Sequence, residues 1–492
     1  MYRHLLQDLN DWKARPARKP ILLDGARQTG KTYLLRELFG REFPQVLCVD
    51  FIENPGLADV FSGSLDPAYL IEQLELATGQ SFKIGQDLLI LDEIAYCPRA
   101  LTSLKYFAEK MPQAHVAAVG STSGLLQSFS VCKVEPFVLR PLSFREFLQA
   151  GGDERLMRAF TKRSRSALAH KRLFEELTDY FFTGGLPEAV AEWFSPQHKN
   201  LLSRVEAVNR LHATLITAHR GDLAMSRDSE EGRLMDDIFT HLPQALFDAQ
   251  EESVVTFSQF NAAQSPNWND ALGSAIQQLH AARIILKNHP LQGVPKRPLA
   301  VHKQDHLVKL FLFDIGLLHH MLGVGYMEIK GRGRDYPAYV AESFVQQELA
   351  VHSLEPGFSW RDGVNEVECL IANDFGQVIP VEIKASSRAS TKALETYDAQ
   401  CLPHKTLALT NRPGTGPEET FSVERALYYA ESLVEEAQVS SPVERPEHAP
   451  PPVVVDPTPA PAQPTAPQTR PRKLSKRKRG YRLREYITAY FR

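Results

Sequence analysis

Three short apolar runs in the first part of the chain predict the strands of a buried parallel sheet. They are Ile21–Leu23, Asp87–Glu93 and His115–Ser121, and their interiors are apolar without alternation. Strands covered by helices on both faces have this pattern, whereas half-exposed strands alternate apolar and polar residues. The predicted fold class is therefore α/β.

A helical pattern follows in the middle of the chain. Asn269–Ala282 carries apolar residues at helical spacing, with Phe257–Phe260 as a short helix before it and Ile284–Leu286 as a strand after it. This order suits a winged helix-turn-helix, a common DNA reader. Residues 258–282 contain no Lys or Arg, however, and DNA contact relies on basic groups. We therefore favour a packing or partner role for this helix.

The run Ile21–Leu23 leads directly into a phosphate-binding loop. Residues Gly25–Thr32 read G-A-R-Q-T-G-K-T, which fits G-x-x-x-x-G-K-[ST]. Its glycines let successive N–H groups converge on an anion, and a helix beginning near Lys31 would place its positive end beneath the phosphates. We expect ATP here, with Lys31 on the β- and γ-phosphates and Thr32 on Mg²⁺. The predicted nucleotide-binding residues are Gly25, Ala26, Arg27, Gln28, Thr29, Gly30, Lys31 and Thr32.

Two carboxylates end the second apolar run and predict hydrolysis. Ligands of α/β folds bind at the carboxyl ends of the strands, so Asp92 and Glu93 are expected beside the loop. Asp92 is predicted to hold Mg²⁺, and Glu93 to act as general base toward the attacking water. Ser121 ends the third run and is a candidate γ-phosphate sensor, with a capping serine as the alternative.

Composition indicates a soluble protein of several domains. The chain has 492 residues, of which 43% are hydrophobic and 23% charged. The sequence shows no apolar stretch of roughly 18 residues and no signal-peptide core. Its five cysteines lack metal-binding spacing and are typical of reduced thiols. We expect a cytoplasmic protein with no membrane segment.

The C-terminal tail differs from the rest of the chain. Residues 440–471 are dominated by Pro, Ala, Thr and Val, which predicts a disordered linker. Residues 470–492 then carry ten Lys or Arg against the single acid Glu485, although the whole chain has a net charge of −3. Basic tails often contact nucleic acid or acidic surfaces, and a solvated tail with no fixed partner is the alternative.

Three elements in a fixed order resemble one family of P-loop proteins. They are the loop Gly25–Thr32, Leu139–Phe147 (L-R-P-L-S-F-R-E-F) and Gly184–Glu188 (G-G-L-P-E). Together they are similar to the AAA_14 and DUF4143 family of bacterial and archaeal AAA-type ATPases. Lys309–Leu318 is similar to the family's K-x-Y-x-x-D-x-G-L-L element. The resemblance covers residues 1–435, nearly the whole folded part.

This resemblance implies a P-loop core, a helical lid, a winged-helix-like module and a restriction-endonuclease-like domain, followed here by the tail. Placed at polar or Gly/Pro-rich joints, the boundaries give units 1–150, 151–230, 231–330, 335–435 and 436–492. The family also implies that an oligomer could form, with an arginine finger from a neighbouring subunit. Arg140 and Lys133 are the candidates for a finger.

The C-terminal unit carries a second set of candidate catalytic residues. Glu366–Ile371 and Val378–Lys384 alternate, and pairing the apolar faces 367, 369, 371 and 379, 381, 383 requires a loop of odd length. The second strand ends in E-I-K and resembles the E-x-K of PD-(D/E)xK nucleases. Glu382 and Lys384 then share a face, to which the register brings Glu368.

In the nuclease interpretation two carboxylates bind Mg²⁺ while Lys384 orients a water or stabilises developing charge. The candidate metal ligands are Glu342, on the amphipathic helix Tyr339–Leu349, and Glu368 and Glu382. The family usually places Asp where this chain has Glu368. A metal-free scaffold is therefore the alternative.

Three functions are compatible with these features. The first is an ATP-hydrolysing switch or motor whose nuclease-like domain engages nucleic acid. The second is an ATPase that regulates a protein partner, with an inert C-terminal scaffold. The third, a nucleotide-binding structural protein that hydrolyses little, is disfavoured by Asp92 and Glu93.

Overall fold

The computed structural model describes most of the chain outside the tail. The described residues are 1–120, 133–224, 230–248, 266–303, 307–351, 353, 356–363, 365–384, 392–414 and 422–439. The predictions for Ser121, for Phe257–Phe260 and for residues 440–492 lie outside them.

The three predicted apolar runs lie in three strands of a five-stranded sheet in which every pairing is parallel. The other two strands, Val46–Asp50 and Glu135–Val138, lie outside the predicted runs. The order is β2-β3-β4-β1-β5, so the carboxyl ends of β1 and β3 lie at one edge with β4 between them. The α/β prediction is confirmed. The strands are β1 Ile21–Asp24, β2 Val46–Asp50, β3 Leu88–Asp92, β4 His115–Val119 and β5 Glu135–Val138.

Both faces of this sheet are buried, which explains why its strands do not alternate. Leu89 and Leu91 face one apolar cluster, and Leu88 and Ile90 face another. The α-helices of this region are Leu5–Ala14, Lys31–Tyr33, Pro67–Thr78 and Pro98–Lys110. Helix Lys31–Tyr33 continues as the π-helical segment Leu34–Leu38. The 3-10 segments are Phe39–Glu42, Pro55–Ser62 and Ile94–Tyr96.

A helical region follows the sheet. Its first helix begins with a capping box, in which the Ser143 hydroxyl accepts from Glu146 N and the Glu146 carboxylate accepts from Ser143 N. The expected helix Asn269–Ala282 is observed at Pro266–Ala281. The apolar residues at helical spacing, Leu272, Ala275, Ile276 and Leu279, are buried. The helices are Phe144–Gly151, Glu154–Thr161, Ala167–Thr183, Pro187–Trp193, Leu201–Ala224, Glu230–Asp248 and Pro266–Ala281.

A second sheet joins strands from both sides of the predicted 330–335 boundary. Its order is β7-β6-β8-β9, with β6 antiparallel to β7 and parallel to β8. The expected wing strand therefore pairs with a strand of the C-terminal unit. The strands are β6 Ile285–Leu291, β7 Lys309–Leu312, β8 Gly357–Asp362 and β9 Asn365–Val367.

A third sheet has the order β10-β11-β12-β13. Cys369 pairs with Val381 and Ile371 with Ile379, which is the predicted register. The prediction of one strand over Glu366–Ile371 is wrong, because the chain leaves the second sheet and enters the third at Glu368. The strands are β10 Cys369–Ala372, β11 Val378–Lys384, β12 Thr406–Thr410 and β13 Ser422–Ala426.

One large apolar core joins the helical region to the C-terminal sheets. It contains Phe144, Tyr180, Phe344 and Leu407. Among the described residues, no helix is both long and apolar enough to cross a membrane. The remaining helical segments are Leu299–His302 (3-10), Ile315–Met321, Tyr326–Gly331, Ala338–Ala350, Lys392–Cys401, Leu427–Tyr429 (3-10) and Leu433–Val439.

Candidate functional site

The loop after β1 has a backbone that only particular residues tolerate. Gly30 has a φ of 88°, in the left-handed region, and Gln28 has 65°. A Cβ on Gly25 would lie 2.4 Å from the Leu139 carbonyl oxygen, so that position requires glycine. The glycines that define the sequence motif are thus needed for the shape of the loop.

Lys31 lies at the start of the helix and folds back over the loop. Its Nζ donates to the carbonyl oxygens of Gly25 and Ala26, at 2.9 Å each. Burial lowers the pKa of Lys31, and Glu93, Asp24 and Asp92 oppose that shift. The ammonium is therefore held among acidic side chains at the carboxyl edge of the sheet.

Asp92 ends β3 next to the helix that carries Thr32. Burial raises the pKa of Asp92, whereas hydrogen bonding from Thr32 and from the Glu93 N–H opposes the rise. The Glu93 N–H lies 3.0 Å from Asp92 Oδ1. A hydroxyl and a carboxylate side by side are hard oxygen ligands, which suit Mg²⁺ arriving with a nucleotide.

Glu93 follows in a backbone conformation that is uncommon for a glutamate. Its φ is 51°, in the left-handed region, where non-glycine residues concentrate at functional sites. Desolvation raises its pKa, Lys31 opposes that rise and Asp92 adds to it. The structure thus brings Lys31, Thr32, Asp92 and Glu93 together at one edge of the sheet.

Further contacts to the loop come from parts of the chain that local patterns did not indicate. Asp24 Oδ1 accepts from Gly25 N at 2.7 Å, and its Oδ2 is 2.8 Å from Arg283 Nε. Arg3 Nη1 donates to the Thr29 carbonyl oxygen at 2.9 Å. Of these three residues, only Asp24 could have been noticed in the sequence, because it directly precedes the loop.

Arg27 of the loop pairs with Asp222 on helix Leu201–Ala224. Arg140, by contrast, is only 5% exposed. A finger must reach a neighbouring subunit, so Arg140 was a wrong candidate. Lys133 is more exposed and pairs with Glu109 at 3.0 Å.

The C-terminal candidates fall into two groups. Lys384 Nζ lies 3.1 Å from Glu382 Oε2 on β11. Glu368 Oε2 accepts from Ile383 N at 3.0 Å, which places its carboxylate beside the same strand. Desolvation, with Glu342 adding to it, raises the pKa of Glu368 to about 8. Burial also raises the pKa of Glu382, and Lys384 opposes that shift.

Glu342 belongs to a separate ion-pair group that sequence reasoning missed. The buried Lys309 Nζ lies 2.6 Å from Glu342 Oε1 and 2.6 Å from Glu366 Oε1. A cation therefore lies between two carboxylates of this unit. Across the described residues, no group of three His, Cys, Asp or Glu side chains is arranged to hold a metal ion.

The strand order, the loop and the two acids Asp92 and Glu93 at the end of β3 define a P-loop nucleotide-binding core. Residues 17–148 match the model of the AAA_14 family, described as an AAA domain. This segment therefore matches an AAA domain, as the resemblance implied. No curated protein matches the chain.

Two solved structures align over parts of the chain. PCH-2 from C. elegans is 13% identical over 39% of this chain and 60% of its own, with a TM-score of 0.26. A signal transduction ATPase with numerous domains (STAND) from Pyrococcus horikoshii, with a tetratricopeptide repeat sensor, is 14% identical. It covers 72% of this chain and 48% of its own, with a TM-score of 0.26. The chain thus spans less than two thirds of either protein.

Proposed function

We propose that this protein binds ATP with Mg²⁺ at the loop Gly25–Thr32 and hydrolyses it, as an AAA-type switch or motor. One observation carries the proposal. Lys31 and the Thr32–Asp92 pair lie at the same sheet edge as Glu93. These are a phosphate-binding cation, two hard oxygen ligands and a general base.

Each side chain then has one task. Lys31 exchanges its two loop carbonyls for phosphate oxygens, which bear more negative charge. Glu93 accepts a proton from the attacking water, and its raised pKa makes it a stronger base than an exposed glutamate. Thr32 and Asp92 would hold Mg²⁺, which neutralises phosphate charge.

We further propose that the ATPase is coupled to a nuclease-like C-terminal domain. The support is local: Glu382 and Lys384 form an ion pair, and the Glu368 carboxylate binds the backbone between them. In this role Glu382 and Glu368 bind Mg²⁺ and Lys384 stabilises developing charge. Nucleic acid would be the partner, reached through this domain or the basic tail.

A second candidate function is an ATPase that regulates a protein partner, with an inert C-terminal scaffold. The Lys309 ammonium favours it, because a cation already neutralises Glu342 and Glu366. The raised pKa of Glu368 favours it too, since a protonated carboxyl is a poor metal ligand.

Incubation of the full chain with plasmid DNA and Mg²⁺, with and without ATP, separates these two functions. The nuclease proposal expects cleavage that Glu382→Ala and Lys384→Ala abolish while ATPase activity persists. Lys171→Ala, at an exposed helix position, is the matched control. The scaffold function is supported instead if the wild type does not cleave the plasmid and shows no Mn²⁺ binding that depends on Glu382.

A further inference from the structure

A cavity of about 480 Å³ lies where the AAA domain, the second sheet and the third sheet meet. Its volume falls within the roughly 300–1,000 Å³ of small-molecule sites. The loop Gly25–Thr32, Asp92 and Glu93 are absent from its lining, so it is separate from the nucleotide site. The lining residues that matter here are Arg140, Leu286, Lys287, Arg297, Phe358 and Ile371.

Arg140 is the buried charge in this cavity. In the part of the chain that the structure describes, its Nε and Nη1 have no hydrogen-bond acceptor. Asp24 is the acid whose charge acts on it, but both Asp24 oxygens are engaged by other groups, the Gly25 N–H and Arg283. Burial, with Arg283 adding to it, lowers the pKa of Arg140 to about 10. Buried charges are normally paired. Because Arg140 lines the cavity, an anion bound there would compensate the charge of its guanidinium.

The rest of the lining suits an anion with an apolar body. Lys287 and Arg297 add two cations, of which Arg297 pairs with Asp374 outside the lining at 3.2 Å, and among the described lining residues there is no Asp or Glu. Lys287 Nζ donates to Gln277 Oε1 at 2.8 Å, and Arg297 binds the Asn373 carbonyl oxygen, so both are held in place. Leu286, Phe358 and Ile371 are among the apolar lining residues.

We propose that this cavity binds a small organic anion with an apolar body, whose carboxylate or phosphate group accepts hydrogen bonds from Arg140. The apolar lining buries the body and excludes water, which strengthens the charged hydrogen bond. The cations Lys287 and Arg297 favour the same charge without contacting it directly. The site is distinct from the ATP site, because it shares no residue with the phosphate loop.

Calorimetric titration of the full chain with octanoate, 1-octanol and inorganic phosphate tests this proposal. Octanoate carries both features, 1-octanol lacks the charge, and phosphate lacks the apolar body. We expect octanoate to bind at least tenfold more tightly than either of the other two. Arg140→Met should lower the affinity for octanoate roughly 10- to 100-fold, as expected for the loss of a hydrogen bond to a charged group. Lys171→Met, an exposed change, should leave it unaltered.

Octanoate binding should persist in Lys31→Ala, which separates this site from the ATP site. Equal binding of octanoate and 1-octanol, or unaltered octanoate binding in Arg140→Met, would overturn the proposal, as would no octanoate binding at millimolar concentration. If Arg140→Met lacks a cooperative thermal transition, Lys287→Met decides. This change removes a lining cation but keeps Arg140. It should weaken octanoate binding several-fold and leave 1-octanol binding unchanged.

Discussion

At the residue scale, Lys31 is a buried cation that binds neutral carbonyl oxygens of the loop, which phosphate oxygens could replace. Within the part of the chain that the structure describes, its Nζ donates hydrogen bonds to the carbonyl oxygens of Gly25 and Ala26. Lys31→Ala should abolish ATP hydrolysis and weaken ATP binding by at least tenfold, since a charged hydrogen bond to phosphate is lost. Phosphate release and fluorescent-ATP titration measure both effects. Normal turnover in the variant would disprove the phosphate-loop assignment.

Glu93 permits a narrower test, because the amide isostere keeps the shape of the side chain. Glu93→Gln should bind ATP about as tightly as the wild type while turnover falls roughly 10²- to 10⁴-fold, the usual contribution of a general base. Single-turnover assays with isotopically labelled ATP distinguish a blocked chemical step from slow product release. A wild-type rate would place the base elsewhere.

At the scale of elements, Arg283 connects β6 and the helix before it to the phosphate-loop strand. The pair Arg283–Asp24 is nearly buried, with side chains 11% and 3% exposed. Arg283→Met should therefore lower the free energy of unfolding by about 3 kcal/mol, because a buried carboxylate loses its partner. Urea denaturation measures this loss. Arg15→Met, which breaks the exposed pair with Glu135, should cost less than about 1 kcal/mol.

A double-mutant cycle gives the control for that prediction. Arg283→Met and Asp24→Asn should be strongly non-additive if the two side chains act on each other. Additive losses would show that Arg283 stabilises the fold by packing alone.

Glu368 lies where the chain crosses from the second sheet to the third, and its burial there makes the stability of the fold depend on pH. Its pKa rises from 4.5 to about 8 in the folded protein, so between these values the folded chain holds a proton that the unfolded chain lacks. Stability from this group is present at low pH and is lost as pH rises toward about 8. Glu368→Gln should therefore gain stability relative to wild type between pH ~5 and ~8, by about 1 kcal/mol or more.

Thermal melts across that pH range measure the difference between the two proteins. Glu72→Gln, at an exposed position, should give a difference that does not change with pH. A pH-independent difference for Glu368→Gln would contradict the raised pKa.

Sequence patterns predicted the elements better than the contacts between them. Three of the five parallel strands follow from unbroken apolar runs, and the helix near residues 269–282 follows from apolar residues at helical spacing. Alternating apolar residues gave the pairing of Cys369 with Val381 on one face. The Lys309–Glu342–Glu366 group does not, because ion pairs across 33 and 57 residues leave no local pattern. The break at Glu368 was missed for a similar reason, since a change of sheet is decided by the partner strands.

At the scale of the whole molecule, the predicted boundary near Ala150 is not a break in the core. Phe144 N donates to the Glu348 carboxylate at 3.0 Å, and the Phe144 ring contacts Tyr180 and Tyr428. A fragment 1–150 would expose this helix face. We expect it to lack a cooperative thermal transition by circular dichroism.

The fragment 1–448, which retains the compact unit, is the matched control and should melt close to the full chain. A cooperative melt of fragment 1–150 at the temperature of the full chain would show that the AAA domain folds independently of Glu348 and Tyr428.

The Asp24–Arg283 contact also implies a thermodynamic linkage. Asp24 binds both the first N–H of the phosphate loop and Arg283, which is 259 positions away. The loop therefore shares one carboxylate with residues 266–291, which we call the central module. If nucleotide changes the strength of this contact, any ligand of the central module that also changes it must alter ATP affinity. ATP must then alter the affinity of that ligand by the same factor. Measuring either affinity with and without the other ligand would give one coupling free energy for both directions.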